Sequence, residues 1–273
     1  MGDGGWMGEA IGLFLSTVLL RPYVFLFLAL YLWAASAAIG WRRTALFTAI
    51  AWVVAFAAEY SSTRNGIPFG FYSYIPATRG RELWISNVPF MDSLSFTFLA
   101  YMSFALAQWL RLPSDAGTRE VKEVRRSWPV LGLTAFLFML IDVVIDPLAL
   151  RGDRWFLGKI YEYPSPGIYF GVPLTNFLGW GVVGFVITAL FQRLDRALPA
   201  EESSGRGVRP IFLGAALYFL ILVFNLCMTF AIGEYLLGTV GILLYVPITR
   251  LFLTRYWSMS PVHSFVSRGA MSS

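Results

Sequence analysis

Seven long apolar runs constrain the fold of this chain more than any other feature. A helix that crosses the hydrocarbon core of a bilayer needs about 20 apolar residues, with a range of roughly 17–25. The seven runs lie at residues 22–39, 44–58, 88–110, 130–150, 175–191, 211–232 and 236–252. The chain is 57% hydrophobic and 14% charged, against roughly 25% charged residues in a soluble domain. The sequence therefore predicts an all-α fold, a polytopic membrane helix bundle.

A shorter apolar run, residues 7–20, precedes the first predicted span. Arg21 and Pro22 follow it directly, so no loop separates this run from the span. We expect an interfacial or re-entrant helix here, with an eighth span as the alternative. The whole chain, residues 1–273, is predicted to form one integral membrane domain whose core, residues 44–191, carries the motifs described below.

The positive charges predict an orientation in the membrane. About two thirds of the 21 Lys and Arg residues fall on the side that holds the C-terminus and the loops at about 111–127 and 192–209. Positively charged loops stay in the cytoplasm. We therefore expect the N-terminus outside and the C-terminus inside the cell. The two loops are predicted to be solvated connectors whose charges serve topology rather than binding to nucleic acid.

Acidic residues recur at the ends of the apolar runs. Asp142 and Asp146 are four residues apart, so they share one helix face. Glu59, Asp92 and Glu234 lie at the ends of other runs, and the predicted topology puts all five acids at one side of the membrane. Ionisable groups in spans are costly and mark functional sites. Carboxyls gathered in a low dielectric cannot all be ionised, which leaves a neutral acid beside a charged base and suits general acid–base catalysis.

Aromatic residues are abundant at the same predicted side, and aromatic faces stabilise a nearby cation. The chain has one histidine, His263, and one cysteine. These are too few for the imidazole-rich iron sites of membrane hydroxylases and desaturases. The acids and rings instead fit isoprenoid chemistry, in which a carboxylic acid protonates an alkene and aromatic rings shelter the resulting carbocation.

Three strings carry a resemblance to a known family. They are EYSSTRNGIPFGFYSY at 59–74, DVVIDP at 142–147 and GIYFGVPLTNFLGW at 167–180. Together they resemble the membrane carotenoid-biosynthesis family of γ-carotene 1'-hydroxylase and bisanhydrobacterioruberin hydratase, of the carotenoid 1,2-hydratase type. The sequence departs from the pattern at Ser62, where a glycine is expected, and in a longer stretch before Gly167.

The resemblance implies addition of water across the terminal C1=C2 double bond of an acyclic carotenoid ψ-end, without a redox cofactor or a metal. From the chemistry we expect protonated Asp142 or Asp146 to deliver a proton to C2, and Glu59 or Asp92 to orient the water. Asn176 and Tyr72 are expected to position that water. The predicted substrate-binding residues are Phe69, Tyr72, Tyr74, Trp155, Tyr169, Phe170, Asn176 and Trp180.

The implied partners are a carotenoid substrate of the lycopene, γ-carotene or C50 type, the bacterial or archaeal cell membrane and a carotenoid glycosyltransferase. Three alternatives stay open: a proton-initiated lycopene cyclase, a magnesium-dependent membrane prenyltransferase, and a carotenoid-binding or transport protein without catalysis. The Asp142–Asp146 spacing fits a magnesium half-site, although a second acidic motif is missing. Structural pairing of Asp142 with Arg64 or Arg154 is a further alternative.

Overall fold

The computed structural model describes residues 4–113, 116–199 and 208–258, so His263 and the middle of the 192–209 loop lie outside the described ranges. The described chain contains nine α-helices and four two-residue β-strands. The helices are α1 (Gly4–Leu20), α2 (Pro22–Ile39), α3 (Trp41–Asn65), α4 (Phe90–Arg111), α5 (Thr118–Arg125), α6 (Trp128–Ala149), α7 (Leu174–Ala197), α8 (Val208–Ala231) and α9 (Tyr235–Ser258). The strands are β1 (Ser73–Tyr74), β2 (Trp84–Ile85), β3 (Val88–Pro89) and β4 (Tyr161–Glu162).

Seven of these helices, α2 to α4 and α6 to α9, are long and apolar enough to cross a membrane. They have 18–25 residues, which at 1.5 Å per residue gives lengths of roughly 27–38 Å, enough for a hydrocarbon core of about 30 Å. The prediction of an all-α membrane bundle with seven spans is therefore confirmed, and the protein is an integral membrane protein.

Helix α1 is shorter than the spans, as the sequence predicts, and its C-terminal end is held by a loop. The Ser16 hydroxyl donates to the Arg81 carbonyl at 2.5 Å, and the Leu83 amide donates to Thr17 Oγ1 at 2.7 Å. Arg21, which separates α1 from α2, is buried and forms an ion pair with Glu82 at 3.2 Å. These contacts fix the α1–α2 junction against the loop that precedes α4.

Helix α4 is the centre of the bundle, because most of its side chains are buried between α2, α3, α6 and α8. Small residues allow this close packing. A Cβ atom on Gly214 of α8 would lie 2.5 Å from the Ala105 Cβ of α4. In lipid, helices associate through van der Waals packing at such small residues rather than through a hydrophobic driving force. The close α4–α8 contact therefore requires glycine at this position.

One end of the bundle is tied by a buried ionic cluster. Asp195, near the end of α7, is fully buried and pairs with Arg43 at 2.6 Å, Arg125 at 3.0 Å and Arg126 at 2.6 Å. The cluster joins the start of α3, the α5–α6 connection and the end of α7. The prediction that the 111–127 loop is a solvated connector is wrong for Arg125, because its side chain is buried against a carboxylate that comes from another helix.

The other end of the bundle carries two long loops, residues 66–89 and 150–173. Strand β1 of the first loop pairs antiparallel with β4 of the second, with Tyr74 opposite Tyr161. Gly179 of α7 lets the first loop lie directly on that helix, because a Cβ there would approach the Pro68 carbonyl oxygen to 2.7 Å. The two loops therefore form one cover over the ends of α3 and α6 and the starts of α4 and α7.

Candidate active site

Four of the five predicted acids meet beneath this cover. Glu59 (α3) and Asp142 (α6) are 1% and 0% exposed, Asp146 is 7% exposed, and Asp92 at the start of α4 is partly buried. In the part of the chain that the structure describes, none of these four carboxyls is paired with Lys or Arg. Uncompensated buried acids are costly, so their hydrogen bonds decide which of them carry protons.

The first set of contacts, which we call the Glu59 group, consists of Glu59, Asp92, Ser93, Tyr72 and Tyr74. The Tyr74 hydroxyl lies 2.8 Å from Glu59 Oε1 and 2.5 Å from Asp92 Oδ2. Ser93 donates to Glu59 Oε2, and the Tyr72 hydroxyl donates to that of Tyr74 at 3.3 Å. A phenol has one hydrogen to donate. For both carboxyl contacts of Tyr74 to be hydrogen bonds, either Glu59 or Asp92 must therefore carry a proton.

The second set, the Asp146 group, consists of Asp142, Asp146, Tyr161, Tyr163 and Asn176. Tyr161 donates to Asp146 Oδ1, while Tyr163 and the Asn176 amide donate to Asp146 Oδ2 at 2.8 and 2.9 Å. The same amide donates to Asp142 Oδ2 at 2.8 Å, and Asp142 Oδ1 has no partner among the described residues. Three hydrogen-bond donors stabilise the ionised form of Asp146. Asp142 receives one hydrogen bond, which fits a neutral carboxyl.

Local periodicity builds both groups. The i,i+4 spacing aligns three pairs of side chains on their helices, and the i,i+2 spacing aligns two pairs of tyrosines along the loops. The pairs are Asp142 with Asp146, Asp92 with Phe96, Asn176 with Trp180, Tyr72 with Tyr74, and Tyr161 with Tyr163. Helices α4, α6 and α7 and the two loops each present such a pair, whereas α3 contributes Glu59.

The four tyrosines in the two groups are donors. Burial is the largest cause that raises the pKa of each of them, and the neighbouring carboxyls raise these pKa values further. All four tyrosines therefore stay protonated at neutral pH. Tyr74, Tyr161 and Tyr163 contact the carboxyl oxygens directly, and Tyr72 donates to the Tyr74 hydroxyl.

Two cavities adjoin these groups. The larger has a volume of about 120 Å³ and is mainly apolar, with walls from α2, α4, α6 and α8 and from the loop that follows α6. The smaller has a volume of about 50 Å³ and is lined by members of both groups. The same five residues belong to the walls of both cavities: Asp92, Phe96, Asp146, Tyr161 and Trp180. The boundary between an apolar space and a polar space thus carries two carboxyls.

The indole of Trp180 is the centre of an aromatic wall at this boundary. It stacks on Phe96 with ring centroids 4.3 Å apart, and it lies 4.7 Å from Phe138 and 6.2 Å from Phe69. Offset and tilted arrangements at these distances are favourable for aromatic pairs. The wall presents π faces beside Asp92 and Asp146.

The predicted substrate-binding residues divide between the cavities and their surroundings. Five of them line the smaller cavity, namely Phe69, Tyr72, Tyr74, Asn176 and Trp180. Trp155 lines the larger cavity. Tyr169 and Phe170 line neither. Tyr169 packs on Phe177, and Phe170 is in a turn where its carbonyl accepts from Arg151. The structure therefore does not bring these last two residues to the site.

Glu234, the fifth acid, does not join the cluster. It pairs with Arg151 at 3.0 Å and with Arg154, at the turn between α8 and α9. Of the five acids at the ends of the apolar runs, Glu234 is thus the one outside the cluster, because two arginines of the 150–173 loop pair with it. Arg154 is therefore not a partner of Asp142, and Arg64 instead contacts Asn87 at 2.7 Å.

Sequence reasoning counted Tyr161 and Tyr163 only among the aromatic residues of this side and did not select Ser93 or Phe96, although all four touch the acids or line the cavities. The Tyr-x-Tyr spacing at 161–163 repeats that at 72–74 and is the signal that could have found the second tyrosine pair. Among the described residues, no three His, Cys, Asp or Glu side chains form a metal-ligand group.

The fold and the site together define a polytopic helical membrane protein that holds a buried acid–tyrosine cluster beside an apolar cavity. Residues 17–248 match the family model described as "Carotenoid biosynthesis protein", and the chain belongs to that family. The family resemblance drawn from the three strings is therefore confirmed.

A curated relative is the bisanhydrobacterioruberin hydratase of Haloarcula japonica. It is 29% identical over 157 residues, which cover 57% of this chain and 47% of the relative. The chain thus spans about half the length of that relative in the matched region. No solved structure matches this chain.

Proposed function

We propose that this protein is a carotenoid hydratase, which adds water across the terminal C1=C2 double bond of an acyclic ψ-end. The observation that carries the proposal is the shared boundary of the two cavities. An alkene in the apolar cavity and a water molecule in the polar cavity would meet at Asp92 and Asp146, the two carboxyls that line both. The family membership and the name of the relative point to the same reaction class.

The sizes of the cavities suit these two reactants. The apolar cavity has a volume of about 120 Å³, and an engineered apolar cavity of about 150 Å³ in another protein binds benzene. This volume fits the end of an isoprenoid chain. The polar cavity has about 50 Å³, which exceeds the roughly 10–15 Å³ that one water molecule requires, and it offers several hydrogen-bond partners.

Asp92 is the proposed acid. The contacts of Tyr74 require a proton on Glu59 or Asp92, and Asp92 is the member of this pair that lines the apolar cavity. The Asp92 O–H bond breaks and a C–H bond forms at C2, using the π electrons of the double bond. The positive charge that develops at C1 lies against the Trp180 and Phe96 faces, and such a contact is worth about 2 kcal/mol when desolvated.

Asp146 is the proposed base. Water from the polar cavity forms the C1–O bond, and one of its protons passes to Asp146, so that the net change is addition of one water molecule. Three hydrogen-bond donors make Asp146 a weak base. A weak base is sufficient here, because a water molecule bonded to a carbocation is a strong acid. This assignment reverses the roles expected from the sequence. Asp142 lines neither cavity and acts on Asp146 through Asn176.

The test is expression in hosts that accumulate lycopene, γ-carotene or a C50 acyclic carotenoid, followed by mass analysis of the pigments. Wild type should give product with one added water, and the new hydroxyl should carry label from 18O water. Asp92→Asn and Asp146→Asn should each lower the hydration rate by about 10²–10⁴-fold. Glu162→Gln is the matched control, because Glu162 lies between the two tyrosines of the Asp146 group but is exposed and paired with Lys159.

Three results would contradict the proposal. A product of unchanged mass would indicate a cyclase, and label from O2 instead of water would indicate oxygenation. Hydration at the wild-type rate in Asp92→Asn or Asp146→Asn membranes would remove that residue from its role.

A further inference from the structure

Under the proposed function, on which this inference rests, each turnover changes the protonation of both groups. One proton moves from Asp92, in the Glu59 group, to carbon C2 of the substrate. Each turnover also delivers one proton from water to the Asp146 group. The product gains one hydrogen from Asp92, and it gains the oxygen and the other hydrogen from water. The protein therefore ends the turnover with its acid ionised and its base protonated. A second turnover therefore requires one proton to return from Asp146 to Asp92.

The structure separates the two groups by the smaller cavity. Hydrogen bonds connect the members within each group, but in the described chain no hydrogen bond joins one group to the other. Tyr72 is at the edge of the Glu59 group. Its ring contacts Tyr161 and Tyr163 of the Asp146 group with centroids 5.8 and 6.2 Å apart, while its hydroxyl donates to Tyr74. All of these tyrosines line the smaller cavity.

We propose that Tyr72 is the return relay for the proton. The Asp146 carboxyl gives its proton to a water molecule in the smaller cavity, and that water gives a proton to the Tyr72 hydroxyl oxygen. Tyr72 passes its own proton to Tyr74, and Tyr74 passes its proton to Asp92. The oxygens of the water, Tyr72 and Tyr74 each gain one hydrogen and lose one, so the net change is transfer of one proton from Asp146 to Asp92.

Two features of Tyr72 fit this role. It is the member of the Glu59 group whose hydroxyl binds no carboxyl directly, so the addition of water to the alkene makes no demand on it. Burial raises its pKa well above the ordinary value. The phenol therefore remains neutral and can accept at its oxygen while it donates its hydrogen, as a relay requires.

The experiment compares the first turnover with later ones in membranes or detergent, using an acyclic carotenoid with a ψ-end. In Tyr72→Phe, product should form in a burst of about one equivalent per protein, followed by a steady rate at least 10-fold below wild type. Deuterium oxide should slow the steady phase more than the burst. Tyr60→Phe is the matched control. Tyr60 follows Glu59 on α3, and within the described chain its side-chain hydroxyl makes no hydrogen bond, since Thr63 and Arg64 donate to its backbone carbonyl. This variant should behave as wild type.

Incorporation of 3,5-difluorotyrosine at position 72 retains the size of the ring and makes the phenol more acidic, so it tests the relay even if the phenylalanine variant does not accumulate. The steady rate should change while the burst does not. A wild-type steady rate in the variant that accumulates would overturn the relay, as would an equal loss of burst and steady phase. Absence of any hydrated product from wild type would instead refute the proposed function on which the relay rests.

Discussion

Gly179 offers a sharp test of how the loop cover builds the site. An alanine Cβ at this position of α7 would lie 2.7 Å from the Phe69 ring and 2.7 Å from the Pro68 carbonyl oxygen. The oxygen is backbone and cannot rotate away, so the 66–74 segment must move. Gly181, two residues further along the same helix, is a matched control. A Cβ there would meet Met139 at 3.9 Å, an ordinary contact.

The magnitude follows from the difference between the two variants. Each exchange of glycine for alanine in a helix gains roughly 0.5–1 kcal/mol of backbone entropy, and this gain cancels in the comparison. Overpacking of a well-packed site costs about 1–3 kcal/mol, and only Gly179→Ala incurs it. At about 2–4 °C per kcal/mol for a chain of about this size, the midpoint of Gly179→Ala should lie several degrees below that of Gly181→Ala.

Activity should fall more steeply than stability. The displaced segment carries Tyr74, which contacts Asp92 and Glu59, and Tyr72, which donates to Tyr74. A misplacement of about 1 Å can cost 10²-fold in rate. We therefore expect a loss of about 10–100-fold in hydration for Gly179→Ala and a wild-type rate for Gly181→Ala. Thermal unfolding in detergent and initial rates in membranes are the two measurements. Equal midpoints and equal rates for the two variants would refute the docking of the loop on α7.

Three further predictions address the wall, the ionic cluster and the outlying acid. Trp180→Leu removes the stacked π face and should lower the hydration rate by about 10-fold or more, corresponding to about 1.4–2 kcal/mol. An unchanged initial rate would contradict stabilisation of the cation by the aromatic wall. Asp195→Asn should destabilise the protein by about 3 kcal/mol in thermal unfolding, because it leaves buried guanidinium groups without their carboxylate. At Glu234, desolvation raises the pKa, but hydrogen bonds from its two arginines outweigh that effect and lower it. The ionised Glu234 therefore stabilises the folded protein at pH values above the ordinary glutamate pKa. This stabilisation is lost as the pH falls through the lower pKa of Glu234 in the folded protein. The stability difference between wild type and Glu234→Gln should disappear at acid pH, and a difference that persists there would contradict the pairing.

The parts of this protein that local periodicity controls could be predicted from the sequence. Run length alone located the seven spans, because the thickness of the bilayer fixes how long an apolar helix must be. The spacing of Asp142 and Asp146 placed both on one face of α6, and the positions of Glu59 and Asp92 at the ends of their runs placed them at the same end of the bundle. These predictions needed only the residues within one element and the alternation of successive spans across the membrane.

The parts that depend on contacts between distant elements could not be predicted. The pairing of Tyr74 with Tyr161 joins two-residue strands 87 positions apart, and strands this short have no sequence pattern of their own. Glu234 has the same sequence context as the other acids, yet its partners come from the end of another loop. Asn176 donates to both Asp142 and Asp146, and the difference between these two acids arises from Tyr161 and Tyr163 of the 150–173 loop, which donate to Asp146 alone.

The division of the site between helices and loops has a chemical reason. The carboxyls are on α3, α4 and α6, whose positions are set by packing along whole spans. The three tyrosines that contact these carboxyls, Tyr74, Tyr161 and Tyr163, are on the loop cover. Hydration of an alkene needs an apolar space in which water is scarce until the cation forms. It also needs a water molecule held in an adjoining polar space. A helix bundle alone supplies the apolar space. In the proposed reaction, the hydroxyl groups of the paired loops would hold water on the far side of Asp92 and Asp146. Changes in the cover should therefore alter the capture of the cation by water before they alter the binding of the hydrocarbon.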